Sequence, residues 1–332
     1  MFPVDIEFLT RKVDFQHRPA WEVAADTFEQ VVRDGAGGDV LVFMPGAYEI
    51  RRTVECIQAS KAARGWAVLP LHGDLPPQEQ DAAVGHQERR KVIVSTNVAE
   101  TSITIDGIRV VIDAGLARVA RYDPHRGIDT LYIENISRAS ADQRAGRAGR
   151  TAPGVCYRLW TKHEHEGRAV HDLPEIRRID LAEAVLALKG CGVEDIDAFQ
   201  WVEPPEHAAL ERAKLTLTDL GALRNEDGAL TGLGRLMLAF PVHPRYARML
   251  LAGETFGCVR EAALIAALTQ GRGLMLKAKG KHVEREREKL TAGEEHSDLL
   301  ILMRMWSYAR RNNFRVDACR RMGIHANTAR QV

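Results

Sequence analysis

The sequence predicts an α/β parallel-sheet domain followed by a winged-helix module and an α-helical region, on three observations. Five apolar runs of strand length, DVLVFM from residue 39, WAVLPL from 66, KVIVST from 91, RVVIDA from 109 and GVCYRL from 154, are continuous rather than alternating. That is the pattern of strands covered on both faces, as in a parallel sheet. Helical stretches separate several of these runs, and beyond about residue 163 helical periodicity takes over, broken by one hairpin signal at Asp227-Gly228.

In chain order, AYEIRRTVECIQASKAAR follows a Pro45-Gly46 turn and has helical spacing, and PPQEQDAAVGHQ opens with prolines in first-turn position. ARVARYDPHRGIDTLYIE holds two alternating runs around Asp123-Pro124 and Gly127, so a hairpin at residues 117 to 133 interrupts the strand-helix alternation. RIDLAEAVLALKGCG and PEHAALERAKLTLTDLGAL are amphipathic helices ending near glycine. The second leads into ALRNEDGALTG, read as two short strands, which completes the winged-helix signal. From PVHPRYARMLLAGETFG onward the chain is helical except for GRGLMLKAKGKHVEREREKLTAGEEH, expected as an exposed charged interruption.

The 332 residues imply two or three domains, with 45% hydrophobic and 27% charged residues excluding a disordered chain. A net charge of +1 gives no global attraction to polyanions, so any nucleic acid must be held by local clusters. The five cysteines form no C-x-x-C pair, the N-terminus has no signal-peptide core, and the apolar runs are too short to span a membrane. These features point to the cytoplasm, with no membrane partner.

Residues 140 to 150, SADQRAGRAGR, concentrate the chemistry. Ser140 is expected as an N-cap with Gln143 three residues on, and Gln143, Arg147 and Arg150 then share one helix face at i, i+4 and i+7. Gly146 and Gly149 each cost about 1 kcal/mol in a helix, which suits positions where another surface comes close to the backbone. Two guanidinium groups and a carboxamide on one face suit a polyanion or a transferring phosphoryl group. A solvated basic helix is the plain alternative.

QRAGRAGR, preceded by STNVAETSITIDG from residue 95, resembles motifs VI and V of the DEAH/RHA family of superfamily 2 RNA helicases, including its bacterial Hrp-type members. LVFMPGAYEI resembles the motif IV region and PLHGDLPPQEQ the loop after it, while RIDLAEAVLALKGCG, LTGLGRLMLAFPVHPRYARML and HSDLLILM are similar to winged-helix and ratchet segments. The resemblance implies a second RecA-like domain over residues 1–163, a winged-helix-like domain over 164–238 and an incomplete helical ratchet-like domain over 239–332. It implies that ATP lies between two RecA-like domains, with Gln143 at the γ-phosphate or attacking water and Arg147 and Arg150 as finger arginines. Arg138 and Arg144 are then structural or solvent-facing. Thr104 and Asp106 match nucleotide contacts, Asp106 at the ribose. Thr96, Asn97 and Gly73 match contacts to RNA, and Arg118, Arg121 and Arg126 sit on the counterpart of a strand-separating hairpin.

Three departures stand out. Asp74 occupies a position where relatives carry a small hydroxyl residue, and Val84 lies near one where they carry a base-stacking aromatic. No G-x-x-x-x-G-K-[ST] or acidic box occurs, AKGKHV lacking both the first glycine and the hydroxyl residue. Motifs IV to VI are therefore present without the phosphate cradle or the Mg²⁺ ligands, which are expected on a first RecA-like domain in cis or in trans, and the isolated chain is expected to hydrolyse ATP very poorly. It is either a portion of a helicase or an ATPase-dead protein, and MFPVDIEFL, similar to the segment joining two RecA domains, favours the former. The function implied is ATP-dependent 3′ to 5′ RNA unwinding on single-stranded or partly duplex RNA, the alternatives being an RNA-binding module without catalysis and a DNA translocase.

Overall fold

The computed structural model describes residues 2–101, 105–125, 127–270, 273–276, 280–293 and 296–332. The chain divides into two compact units, Met1–Asp180 and Leu181–Val332. In the first unit the order is β1 (Val4–Leu9), α1 (Ala20–Arg33), β2 (Asp39–Phe43), α2 (Ala47–Ala59), β3 (Ala67–Leu71), α3 (Pro77–Val84), β4 (Lys91–Ser95) and α4 (Val98–Thr101). Then follow β5 (Ile108–Asp113), β6 (Leu116–Asp123), β7 (Ile128–Asn135), α5 (Arg138–Ala145), β8 (Gly154–Thr161) and α6 (Lys162–Glu166).

All five expected strands form, and with β1 they make a six-stranded sheet, β1-β8-β5-β2-β4-β3, parallel throughout. β1 was not anticipated as a strand. It lies at one sheet edge, alternates charge with apolar residues (VDIEFL) and is largely exposed, so it lacks the continuous apolar run of a covered strand. α1 was also missed, although it buries Val23, Ala24, Phe28 and Val31 along one stripe.

Alternation along the strands sorts the core into two faces. Val40, Val42, Val92, Val94, Val110 and Ile112 pack with Phe28 of α1 and Ile50 and Ile57 of α2. Leu41, Phe43, Ile93, Val111 and Cys156 face the other way, against Ala83 of α3 and the methyl groups of Ala145 and Ala148. The arginine-rich segment is thus seated on the sheet through its alanines. β6 and β7 pair antiparallel in full register as a separate two-stranded sheet, from Leu116 with Asn135 to Asp123 with Ile128.

The second unit contains α7 (Ala182–Gly190), α8 (His207–Asp219), α9 (Gly232–Met237), α10 (Pro244–Thr255), α11 (Val259–Gln270), α12 (Lys281–Thr291), α13 (Asp298–Arg311), α14 (Val316–Arg321) and α15 (Ala326–Gln331). Two expectations are corrected here. The strands around Asp227-Gly228 reduce to one antiparallel bridge, Leu223 with Leu230, because Thr231 already caps α9 by accepting from Gly234 N. The charged interruption contains helix α12, whose Arg287 donates to the carbonyl groups of Met322, Gly323 and Leu276. No helix among the described residues is long and apolar enough to cross a membrane.

Candidate functional site

The arginine segment starts one turn earlier than its sequence suggests. Ser137, not Ser140, is the N-cap, its Oγ accepting from Ser140 N at 3.1 Å. α5 ends at Ala145 and Gly146–Gly149 form a 3₁₀ turn, so Gln143, Arg147 and Arg150 do not lie on one continuous α-helix. The tighter turn still brings the three together: they line one cleft of about 470 Å³ with Glu100, Thr101, Ala139, Asp142 and Gly146. Gln143 and Arg150 are exposed, whereas Arg147 is only 6% exposed and donates through Nη2 to the Glu100 carbonyl oxygen. Burial, then the neighbouring Arg150, pull the Arg147 pKa down from its ordinary value.

A buried charge network holds this cleft in place. Arg144 is 1% exposed; its Nε donates to Glu100 Oε2 at 2.9 Å and its Nη1 to Asp113 Oδ1 at 2.9 Å. The same Nη1 reaches Leu116 O at 3.3 Å, and the guanidinium lies 4.8 Å from the Phe43 ring centroid. Burial opposes the charge on Arg144, but the Asp113 and Glu100 carboxylates outweigh it and raise its pKa. Ser140 Oγ donates to Glu100 Oε1 at 2.6 Å, which completes the carboxylate's partners on α5. Of the two expected fates for Arg144, the structural one holds. Glu100 and Asp113 were not singled out from the sequence, although an acidic residue closing the apolar run RVVID was a signal that a buried cation must face it.

Gly149 shows the close approach to its backbone that its cost in a helix suggested. A Cβ there would stand 2.6 Å from Phe2 O and 2.7 Å from Val4 Cγ2, and Phe2 N donates to Gly149 O at 2.8 Å. The surface that approaches this glycine is the chain's own N-terminal segment.

On the other side of Glu100, a second cavity of about 280 Å³ brings Asn97 together with Arg118, Arg121, Glu134, His171 and Arg178. Asn97 follows the C-terminal end of β4, and the hairpin rises from the end of β5, so both stand at the edge where parallel sheets place function. Arg118 lies over Gly46, where a Cβ would come within 2.6 Å of its Nε, and its Nη2 is 3.6 Å from Glu49 Oε2. Arg121 holds Glu134 across the hairpin, with Nη2 donating to Oε2 at 2.8 Å, and this bond keeps the Glu134 carboxyl below the usual range.

Of the remaining sequence-selected residues, the described ones do not line either cavity. Thr96 is half-buried after β4, Gly73 and Asp74 are exposed after β3, and Asp106 is exposed before Gly107, whose φ of +86° makes a left-handed turn. Val84 is half-buried and packs against the Leu41–Phe43 side of the core. Thr104 and Arg126 lie outside the described residues.

Comparison with known proteins follows the same segments. The family "Helicase conserved C-terminal domain" matches residues 24–152, "Helicase associated domain (HA2), winged-helix" residues 215–242, and "Helicase associated domain (HA2), ratchet-like" residues 243–302. The ATP-dependent RNA helicase HrpA of Escherichia coli is 35% identical over 319 residues, covering 92% of this chain and 24% of that protein. The human protein named "Probable ATP-dependent RNA helicase DHX34" is 45% identical over 234 residues, 69% of this chain and 20% of the relative. The chain thus spans about a quarter or less of the curated relatives it matches. Among solved structures, the DEAH/RHA helicase HrpB of Escherichia coli superposes with a TM-score of 0.74 at 32% identity, over 94% of this chain and 38% of that one.

Proposed function

The chain belongs to the DEAH/RHA-type superfamily 2 helicases as a C-terminal portion, and from that premise we propose that it supplies the arginine half of the ATPase site of an ATP-dependent RNA helicase moving 3′ to 5′. The observation that carries this reading is the convergence of Gln143, Arg147 and Arg150 on one cleft, with Arg147 tethered to Glu100.

The cleft fits a triphosphate better than it fits the metal. Its guanidinium and carboxamide groups are donors suited to phosphate oxygens. Of its carboxylates, Glu100 is committed to Ser140 and Arg144, and Asp142 accepts from Arg158 Nη2 at 2.6 Å. Mg²⁺ ligands therefore belong to the first RecA-like domain, and bound Mg²⁺-ATP supplies the phosphoryl group that is transferred to water. Gln143 orients the γ-phosphate or the water, and Arg147 and Arg150 stabilise the negative charge that develops, an effect on the order of 10³ to 10⁵ in kcat for finger arginines.

Thr104 and Asp106 complete the nucleotide side in this reading. Asn97, Thr96 and Gly73 contact single-stranded or partly duplex RNA, and the hairpin with Arg118, Arg121 and Arg126 separates strands. The domain limits at residues 163/164 and 238/239 and a cytoplasmic location belong to the same proposal.

Joining the chain to a P-loop-bearing RecA-like domain should restore RNA-stimulated ATPase, and Arg147→Ala or Arg150→Ala should lower it at least about a thousandfold. Near-normal turnover in both variants would overturn the assignment. RNA binding that falls steeply with salt but ignores an ATP analogue would favour the non-catalytic module. Equal unwinding of ribose and deoxyribose strands would favour the DNA translocase.

A further inference from the structure

Residues 169–180 run from the start of α5 along the hairpin, and their hydrogen bonds are divided between the two. Ala169 O and Val170 O accept from Arg138 N at 2.8 Å and Ala139 N at 3.0 Å, amides of the first turn of α5 that have no partner within the helix. Asp172 Oδ1 accepts from Ser137 N at 3.1 Å. Farther on, the backbone of Arg178 meets the hairpin: Tyr122 N donates to Arg178 O at 2.6 Å. The Arg178 side chain bridges the segment to β6, with Nη1 donating to Ala120 O at 3.1 Å and Nε to Leu173 O at 3.0 Å. Asp180 N finally donates to Asp129 Oδ1, on β7, at 2.9 Å.

A two-stranded hairpin standing alone is marginally stable in water, and its angle to the domain needs an external constraint. The 169–180 segment supplies one. Its Ala169, His171, Leu173 and Arg178 form one wall of the second cavity, opposite the hairpin and the start of α5. We propose that residues 169–180 form a strap that holds the hairpin at a fixed angle to α5, with Arg178 as its positioning residue. The helix that carries Gln143 and leads into Arg147 is thereby mechanically tied to the hairpin. The functional half of this inference rests on the helicase reading; the structural half does not.

The test separates the two. Hydrogen–deuterium exchange on the 332-residue chain reads the strap directly. Arg178→Ala should accelerate exchange at β6 and β7 amides about tenfold, the size expected from losing one or two hydrogen bonds, while β2, β4 and β5 amides stay unchanged. The milder Asp129→Ala, which removes the acceptor of Asp180 N at an exposed hairpin position, should show the same pattern to a smaller degree and covers the case in which Arg178→Ala fails to fold. Unchanged hairpin exchange in both variants, or a rise shared equally by the sheet, overturns the strap. In the fusion carrying a first RecA-like domain, Arg178→Ala should lower RNA unwinding about tenfold while RNA-stimulated ATPase stays within about twofold. Parallel loss of both activities overturns the positioning role. A wild-type fusion that neither hydrolyses nor unwinds defeats the helicase reading alone, the exchange result still deciding the strap.

Discussion

Replacing Arg144 by alanine should cost the N-terminal unit about 3–5 kcal/mol, the range for breaking a buried ion pair by removing one partner. The magnitude follows from what is left behind. Asp113 has a fully buried side chain, its Oδ1 would keep the Gly115 amide at 2.8 Å, and its Oδ2 has no hydrogen-bond partner even now. Glu100, at 13% side-chain exposure, can recover some hydration, so most of the cost falls on Asp113. With a urea m-value of about 2 kcal/mol/M for a domain of this size, the midpoint should fall by roughly 1.5–2.5 M. Adding Asp113→Asn to Arg144→Ala should recover part of the loss, because the fully buried Asp113 charge is then gone and only the partly hydrated Glu100 is left without its cation. Urea titration followed by circular dichroism, with β-sheet and helix signals compared for coincidence, measures both variants. A loss below about 1 kcal/mol for the single variant, or a double variant no more stable than the single, would refute the claim that a desolvated charge holds α5 to β5.

Gly149→Ala places a methyl group 2.6 Å from Phe2 O, and should lower stability by about 1–3 kcal/mol through overpacking or release of β1; an unchanged thermal midpoint would contradict the contact. The Arg121–Glu134 pair gives a pH-dependent term: because the hydrogen bond from Arg121 lowers the folded-state pKa of Glu134, its contribution is complete above the ordinary glutamate value of about 4.3 and is lost as pH falls through the lowered one. The stability gap between wild type and Glu134→Gln should therefore be constant from pH 7 to about 5 and narrow as pH falls toward the lowered value, and the absence of any gap at pH 7 would show that the pair does not form. His165 titrates in the milder window. Burial, then Arg158 and Arg168, hold its pKa below the ordinary value against the opposing pull of Asp142, so the unfolded chain takes up a proton that the folded one resists. Stability should consequently decline below about pH 6.5, and His165→Gln should flatten that decline in thermal melts.

The covered strands were legible because burial on both faces demands continuous apolar runs, and β2, β4, β5 and β8 have them. β1 escaped because its acidic residues interrupt the apolar ones and it is largely exposed, whereas β3, at the opposite edge, keeps a continuous apolar run. The site divides in the same way. Arg147, Arg150 and Gln143 announced themselves by charge and spacing within eleven residues. Glu100 and Asp113 lie 44 and 31 positions from Arg144, and no local pattern ties an acid to a cation so far along the chain.

The sequence alone was enough for the α/β class, the helical region after it, and the presence of a concentrated arginine segment, since each rests on local periodicity or composition. Only the tertiary structure decided which arginine is structural and which faces the cleft. Arg144 and Arg147 differ by three positions in the same run, but the first meets two buried carboxylates and the second a backbone carbonyl at the cleft wall. A guanidinium's role is set by the partners that desolvation forces upon it, and those partners come from strands and loops that only folding brings near.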